Sequence, residues 1–204
     1  MLTLHCTTSP TARNMYIYLH GFNSGGTSSK AGRLRTLLAP VPLLSPTYPA
    51  HKAAAAVSFL RDYIAAARQQ ARDTPLVLIG SSLGGFYAQY LAREFNAGIV
   101  LINPSIAPDE TLLRCVGRNR NAATGEDYTL TKHDVRALGD YRTAVCDPHI
   151  PTLVLLDRGD EVLDYRIAEA WYRGCGKTIV YPGGNHRFEH LGEALMEIQR
   201  LHDA

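Results

Sequence analysis

The sequence predicts an α/β fold: a mostly parallel central sheet of about six strands with helices on both faces. Short runs rich in β-branched and apolar residues alternate along the chain with longer stretches of helical apolar spacing, the signature of strand–helix–strand units. Several of the strand runs, such as Leu76–Ile79 and Ile99–Ile102, are apolar throughout rather than alternating, as strands covered on both faces require. The chain has 204 residues, 46% of them hydrophobic and 20% charged, enough for one domain with its own core.

Taken in order, residues 1–14 carry a Thr-Thr-Ser-Pro-Thr cluster and no periodic pattern. They are expected to be a loosely packed extension, with a single domain over 15–204. Met15–Leu19 is a strong strand, followed by the glycine-rich loop His20-Gly21-Phe22-Asn23-Ser24-Gly25-Gly26. A helix is expected after Ser28-Ser29, through Leu34, Leu37 and Leu38, ended by Pro40 and Pro42. Leu43–Tyr48 reads as a weaker strand. Residues 53–72 form a helix with Val57, Leu60, Ile64, Ala67 and Ala71 on one stripe. A central strand, a second helix from Leu83 and the strand Ile99–Ile102 follow. Residues 104–150 break the rhythm with Pro104, Pro108, Gly125 and Pro148 around short helical pieces at Leu112–Val116 and Asp134–Leu138. So long a segment between two strands reads as a lid or cap insertion. The alternation resumes with a strand at Thr152–Leu156 and a helix opened by Asp164. The strand Lys177–Tyr181 and a helix carrying Leu191, Leu195, Ile198 and Leu201 complete the chain.

Composition excludes several functions. The net charge is +2 and the arginines are scattered, which supports neither nucleic acid nor membrane insertion as a partner. No apolar run approaches the length of a spanning helix, and the N-terminus lacks a signal-peptide pattern. A cytoplasmic location is therefore expected. Cys6, Cys115, Cys146 and Cys175 form no CxxC pair, so they are expected to be reduced, packing thiols rather than metal ligands.

The chemistry concentrates at Gly80-Ser81-Ser82-Leu83-Gly84, a G-x-S-x-G between a buried strand and an amphipathic helix. In that context it is a nucleophile-elbow pattern. A serine on so sharp a turn exposes its Oγ above a helix N-terminus, where developing negative charge is favoured. Side chains at Gly80 and Gly84 would collide within the turn. A tightly packed turn or a phosphate cradle is the competing reading. The first lysine after the turn is Lys132, so no P-loop is present, and Ser82 stands where a dinucleotide fingerprint needs glycine.

A triad on such an elbow runs serine, acid, histidine. Four acids compete after the strand Leu153–Leu156: Asp157, Asp160, Glu161 and Asp164. Asp157 is too close to the strand end and Asp164 suits a helix cap, leaving Asp160. His186 follows the strand ending at Tyr181, in the loop Gly183-Gly184-Asn185-His186. By position, the backbone N–H groups of Phe22 and Leu83 are the oxyanion-hole donors. His20 and Asn23 are the substrate-side candidates of the same loop, with His20 reading foremost as a holder of that loop through hydrogen bonds.

These motifs resemble the YqiA-type esterases, a branch of the α/β-hydrolase superfamily. The matching pieces are Tyr18-Leu19-His20-Gly21-Phe22-Asn23-Ser24, Gly80-Ser81-Ser82-Leu83-Gly84-Gly85, Asn103-Pro104, Leu112-Leu113 and Thr124-Gly125. Gly159-Asp160-Glu161-Val162-Leu163-Asp164-Tyr165 and Gly183-Gly184-Asn185-His186 complete the likeness, which spans about Met15 to Leu201 in order. The resemblance implies a small α/β-hydrolase fold and a serine esterase with Ser82, Asp160 and His186 as triad, requiring no cofactor or metal. Small to medium acyl esters are the expected substrates, with acyl-CoA thioesters a further candidate. Arg114, Arg118 and Arg120 are either a grip for such a phosphate-bearing group or solvated charges. The alternative function is a non-catalytic small-molecule binding module on the same fold.

Overall fold

The structure is a computed structural model that describes residues 14–201. Residues 1–13 of the expected extension lie outside the described residues. Asn14, the last of that stretch, is buried and donates from Nδ2 to the Tyr16 hydroxyl at 3.1 Å.

Six strands form one parallel sheet: β1 (Met15–Leu19), β2 (Leu43–Leu44), β3 (Leu76–Ser81), β4 (Gly98–Ile102), β7 (Thr152–Asp157) and β8 (Lys177–Tyr181). Their spatial order is β2-β1-β3-β4-β7-β8. Side chains alternate across the pleat, and each face has its own core. Ile17, Leu19, Leu78, Leu101, Val154 and Leu156 pack with α2 (Ala53–Gln70) and α3 (Leu83–Phe95). Tyr16, Tyr18, Val77, Ile79, Val100 and Leu155 pack with α1 (Ser29–Leu38) and α7 (Leu191–Gln199). Burial on both faces accounts for the all-apolar strands. The remaining helix of the alternation, α6 (Tyr165–Trp171), is opened by Asp164, whose carboxylate accepts from Arg166 N.

The strand expected over 43–48 stops at Leu44. Pro46 has no N–H for a ladder, and the polar residues there are used elsewhere. Ser45 Oγ donates to Gly26 O at 2.7 Å and Thr47 Oγ1 accepts from Gly26 N at 2.9 Å. The segment thereby braces the glycine-rich loop after β1.

Between β4 and β7 lie α4 (Pro108–Thr111), a 3-10 turn at Leu112–Cys115, the antiparallel pair β5 (Gly117–Arg120) and β6 (Asp127–Leu130), α5 (Lys132–Arg136) and a second 3-10 turn at Ala137–Tyr141. The hairpin was not expected from the residues, because Gly-Arg-Asn-Arg has neither β-branched residues nor apolar alternation. Its order comes from its turn and its partners. Asn121 Oδ1 accepts from Ala123 N at 2.8 Å and Thr124 N at 3.2 Å, and the Tyr128 ring stacks on His51 with centroids 3.9 Å apart.

A second correction concerns the cysteines. Cys146 and Cys175 form a disulfide, tying the end of this insertion to the turn between α6 and β8. Widely separated cysteines carry no pairing signal in sequence; the Cα–Cα approach of 6.0 Å comes only with the fold. Cys115 is free. Among the described residues, no helix is long and apolar enough to cross a membrane.

Candidate active site

Parallel strands end together, and their carboxyl ends are where an α/β sheet presents functional groups. Here Leu19 pairs with Gly80, Ser81 with Ile102, and Asp157 with Tyr181. The loops that follow β1, β3, β4, β7 and β8 therefore emerge along one rim.

Ser82 stands at the end of β3 with φ 53° and ψ −120°, a left-handed conformation that costs a non-glycine residue on the order of 1–3 kcal/mol. The surroundings hold it there. Its N–H donates to Ile102 O at 3.0 Å, and its carbonyl accepts from Gly85 N at 2.9 Å and Ser105 N at 3.1 Å. A Cβ on Gly84 would overlap the carbonyl of Leu19, and one on Gly80 would run into the Gly84 backbone. The glycines are thus demanded by close approach of β1, β3 and α3.

The structure brings the three expected side chains together. His186 Nε2 lies 3.1 Å from Ser82 Oγ, and His186 Nδ1 lies 2.8 Å from Asp160 Oδ2. Asp160 is almost wholly buried, its side chain 2% exposed. Its Oδ1 accepts from Val162 N and Leu163 N, each at 2.8 Å, which fixes the carboxylate's orientation. With Nδ1–H directed at Asp160, Nε2 is free to accept from the serine hydroxyl.

Asp157 and Glu161, passed over as acid candidates, hold the histidine loop. Asp157 is fully buried and accepts from His190 Nδ1 at 2.6 Å, Glu189 N at 2.9 Å and Asn185 N at 3.1 Å. Gly184 passes so close that any Cβ there would overlap the Asp157 carboxylate. Glu161 Oε2 accepts from His186 N at 3.0 Å. Asn103, at φ 43°, links the ends of β4 and β7 to this loop. Its Oδ1 accepts from Asp157 N at 2.9 Å, and its Nδ2 donates to Asn185 O at 3.1 Å. The sequence assigns no such bracing role to Asp157, His190 or Asn103; the available signal was that Asn103 and Asp157 are polar residues placed directly at the ends of β4 and β7.

Phe22 borders the same cavity as Ser82 and His186, while Leu83 opens α3 one residue after Ser82. His20 is fully buried and does not line that cavity, which corrects its placement on the substrate side. Its Nδ1–H donates to Gly21 O at 2.9 Å, its Nε2 accepts from Tyr48 N at 3.2 Å, and its carbonyl accepts from the Tyr48 hydroxyl at 2.6 Å. Burial pushes its pKa below the ordinary histidine value, keeping the ring neutral. Asn23, at φ 52°, does reach the cavity. Both ends of its amide are also engaged by the hairpin, with Asn119 Oδ1 at 3.2 Å and the Tyr128 hydroxyl at 2.5 Å.

The cavity measures about 680 Å³, within the range of small-molecule sites. Arg114, Arg118 and Arg120 do not line it. Arg114 donates to Val162 O at 3.1 Å, and Arg120 pairs with Asp127 at 2.8 Å on the exposed hairpin. Lys30, Arg33 and Arg187 line it instead, and nothing in their sequence spacing pointed there.

The profile of the uncharacterised protein family UPF0227 matches residues 15–203. The chain belongs to that family. This is the family to which the YqiA-type motifs point. A UPF0227 protein of Serratia proteamaculans is 28% identical over 191 residues, covering 91% of this chain and 97% of that protein. A UPF0227 protein of Yersinia enterocolitica matches to the same extent. Among solved structures, Est1E of Butyrivibrio proteoclasticus with bound ferulic acid superposes with a TM-score of 0.72 at 16% identity, covering 95% of this chain and 90% of that one. A monoglyceride lipase of Saccharomyces cerevisiae gives 0.68 at 15% identity, covering 94% and 87%. At such identities the likeness establishes the α/β-hydrolase fold.

Proposed function

We propose that this UPF0227 member is a serine hydrolase of small to medium acyl esters, with Ser82 as nucleophile, His186 as general base and acid, and Asp160 as the group that orients and charge-stabilises the imidazole. The observation that carries the reading is the continuous contact from Ser82 Oγ through His186 to the buried carboxylate of Asp160. In the first step Ser82 Oγ bonds to the ester carbonyl carbon while its proton moves to His186 Nε2. The N–H groups of Phe22 and Leu83 are assigned to the oxyanion, each donor worth about 2.7–4 kcal/mol in the transition state. The carbon–oxygen bond of the leaving alcohol then breaks and takes the proton from Nε2. Water repeats the sequence on the acyl-enzyme and regenerates Ser82. Acyl thioesters would react by the same steps with a thiol leaving.

In this reading the insertion 104–150 acts as a cap. Ala122 borders the cavity, and the Asn23 amide joins the hairpin to the loop that carries the Phe22 donor. The test is labelling by a fluorophosphonate together with turnover of 4-nitrophenyl esters. Wild type is expected to be labelled at Ser82 and to turn over, and Ser82→Ala to do neither while keeping its fold. Wild-type esterase rates in purified Ser82→Ala would overturn the assignment, and absence of labelling in wild type would favour a binding module.

A further inference from the structure

The hydrolase reading leaves three cations of the cavity unused. Lys30 and Arg33 stand nearly one turn apart on α1, and Arg187 follows the candidate base; all three line the cavity that holds Ser82. Lys30 is half-buried, and its Nζ donates to the hydroxyl of Ser81 at 2.5 Å. Ser81 immediately precedes the nucleophile in the chain. Arg33 Nη2 donates to the backbone carbonyl of Glu189 at 3.2 Å, a dipole rather than a counter-charge. Among the described residues, none of the three takes part in an ion pair. The carboxylate that borders the cavity, Glu189, has its Oε1 on Asn185 Nδ2 at 2.5 Å.

A lysine that merely covers apolar surface keeps its ammonium in water. Lys30 instead turns its ammonium inward, onto a neutral hydroxyl. Burial lowers its pKa to about 8 against the opposing pull of Asp160 and Asp157, so it still carries its charge at neutral pH. A charge held partly out of water with no carboxylate in ion-pair contact is costly to the free protein. It becomes favourable when an anion arrives, because charge-assisted hydrogen bonds are strong where water is reduced.

We propose that Lys30, Arg33 and Arg187 form an anion subsite within the reacting cavity, and that the substrates are esters carrying a carboxylate or phosphate a short chain away from the bond that is cleaved. Lysine supplies a point charge and the arginines planar forks, a set suited to either group. A neutral ester of the same length gains nothing from this wall. The inference rests on the hydrolase reading for the reaction but not for the binding.

The experiment compares kcat/KM for 4-nitrophenyl hydrogen adipate and suberate with their neutral methyl-ester counterparts, and with the 6-phosphonohexanoate ester as the phosphate arm. Wild type is expected to prefer a charged ester at least tenfold over its neutral counterpart, and the better of the two anions identifies the group. In Lys30→Met the preference is expected to fall close to one, with partial recovery in Lys30→Arg; Arg33→Gln serves if the lysine variant fails to fold. Equal use of charged and neutral esters by wild type overturns the subsite, as does a Lys30→Met variant that slows both in the same proportion. If no ester is turned over, calorimetric titration of Ser82→Ala with adipate and with inorganic phosphate still decides. Binding weakened tenfold or more by adding Lys30→Met upholds the subsite while the reaction reading fails, and no binding of either anion overturns it.

Discussion

Single side chains carry this site in two different ways. Ser82, Asp160 and His186 face one another across hydrogen bonds, whereas His20 and Asp157 act from behind, through the backbone they hold. His20 is the clearer case. Its burial keeps it neutral, so as pH falls below about 6.5 the unfolded chain takes up the proton first and the folded state loses stability. His20→Gln is expected to cost roughly 1–3 kcal/mol at pH 7 through lost buried hydrogen bonds. It should also flatten the fall in Tm between pH 7 and 5, which thermal melts across that range would read directly. Lys30 supplies a second pH effect with the opposite sense. Its pKa of about 8 makes it half-charged there, mostly charged at neutral pH and mostly neutral above about 9, so preference for an anionic ester should decline as pH rises through 8. The groups around it are Arg33 on its own helix, Tyr18 on β1, Asp157 at the end of β7, Asp160 in the loop that follows, and His186, Arg187 and Glu189 on the histidine loop. Two of the three cations of this wall are arginines, and a guanidinium does not deprotonate in proteins, so the decline is partial; a kcat/KM ratio measured from pH 6.5 to 9.5 tests it.

At the scale of elements, the elbow and the insertion were unequally legible. Leu76–Ser81 and Leu83–Phe95 announce themselves by composition and period, and the glycines between them are required because β1 passes against α3 at Gly84. Gly84→Ala is therefore expected to abolish soluble folded protein or, where it folds, Ser82 labelling; circular dichroism and probe labelling separate the two. The insertion has no such period. Its hairpin is held by Asn23, His51 and an asparagine-led turn, contacts that come from distant parts of the chain. Its short helix α5 is fixed locally by a capping box between Thr131 and Asp134, with Lys52 Nζ 2.9 Å from Asp134. Burial would raise the Asp134 pKa, but hydrogen bonds from Thr131 and Lys52 outweigh it and bring it down to about 2. A depressed carboxylate pKa stabilises above about 4, and that contribution is lost as pH falls towards 2. Asp134→Ala should cost about 1–2 kcal/mol at pH 7 and reduce the acid sensitivity in that window, measured by urea unfolding.

For the whole molecule, the disulfide and the rim of the sheet show what sequence order conceals. Cys146 and Cys175 close a loop with a sequence separation of 29, for which chain entropy gives about 3–4 kcal/mol. Reduction, or Cys175→Ser, should lower Tm by several degrees, with differential scanning calorimetry as the readout. By itself the sequence determined the six-stranded parallel α/β architecture and pointed to Ser82, Asp160 and His186, because strand composition, helical period and elbow glycines are local properties of a chain. Only the tertiary structure decided which cysteines pair, that His20 faces inward, that Asp157 binds the histidine loop, and that Lys30, Arg33 and Arg187 rather than Arg114, Arg118 and Arg120 line the cavity of Ser82. Those outcomes depend on where separate loops meet at the ends of parallel strands, and distance in space between such loops is not written in their spacing along the chain.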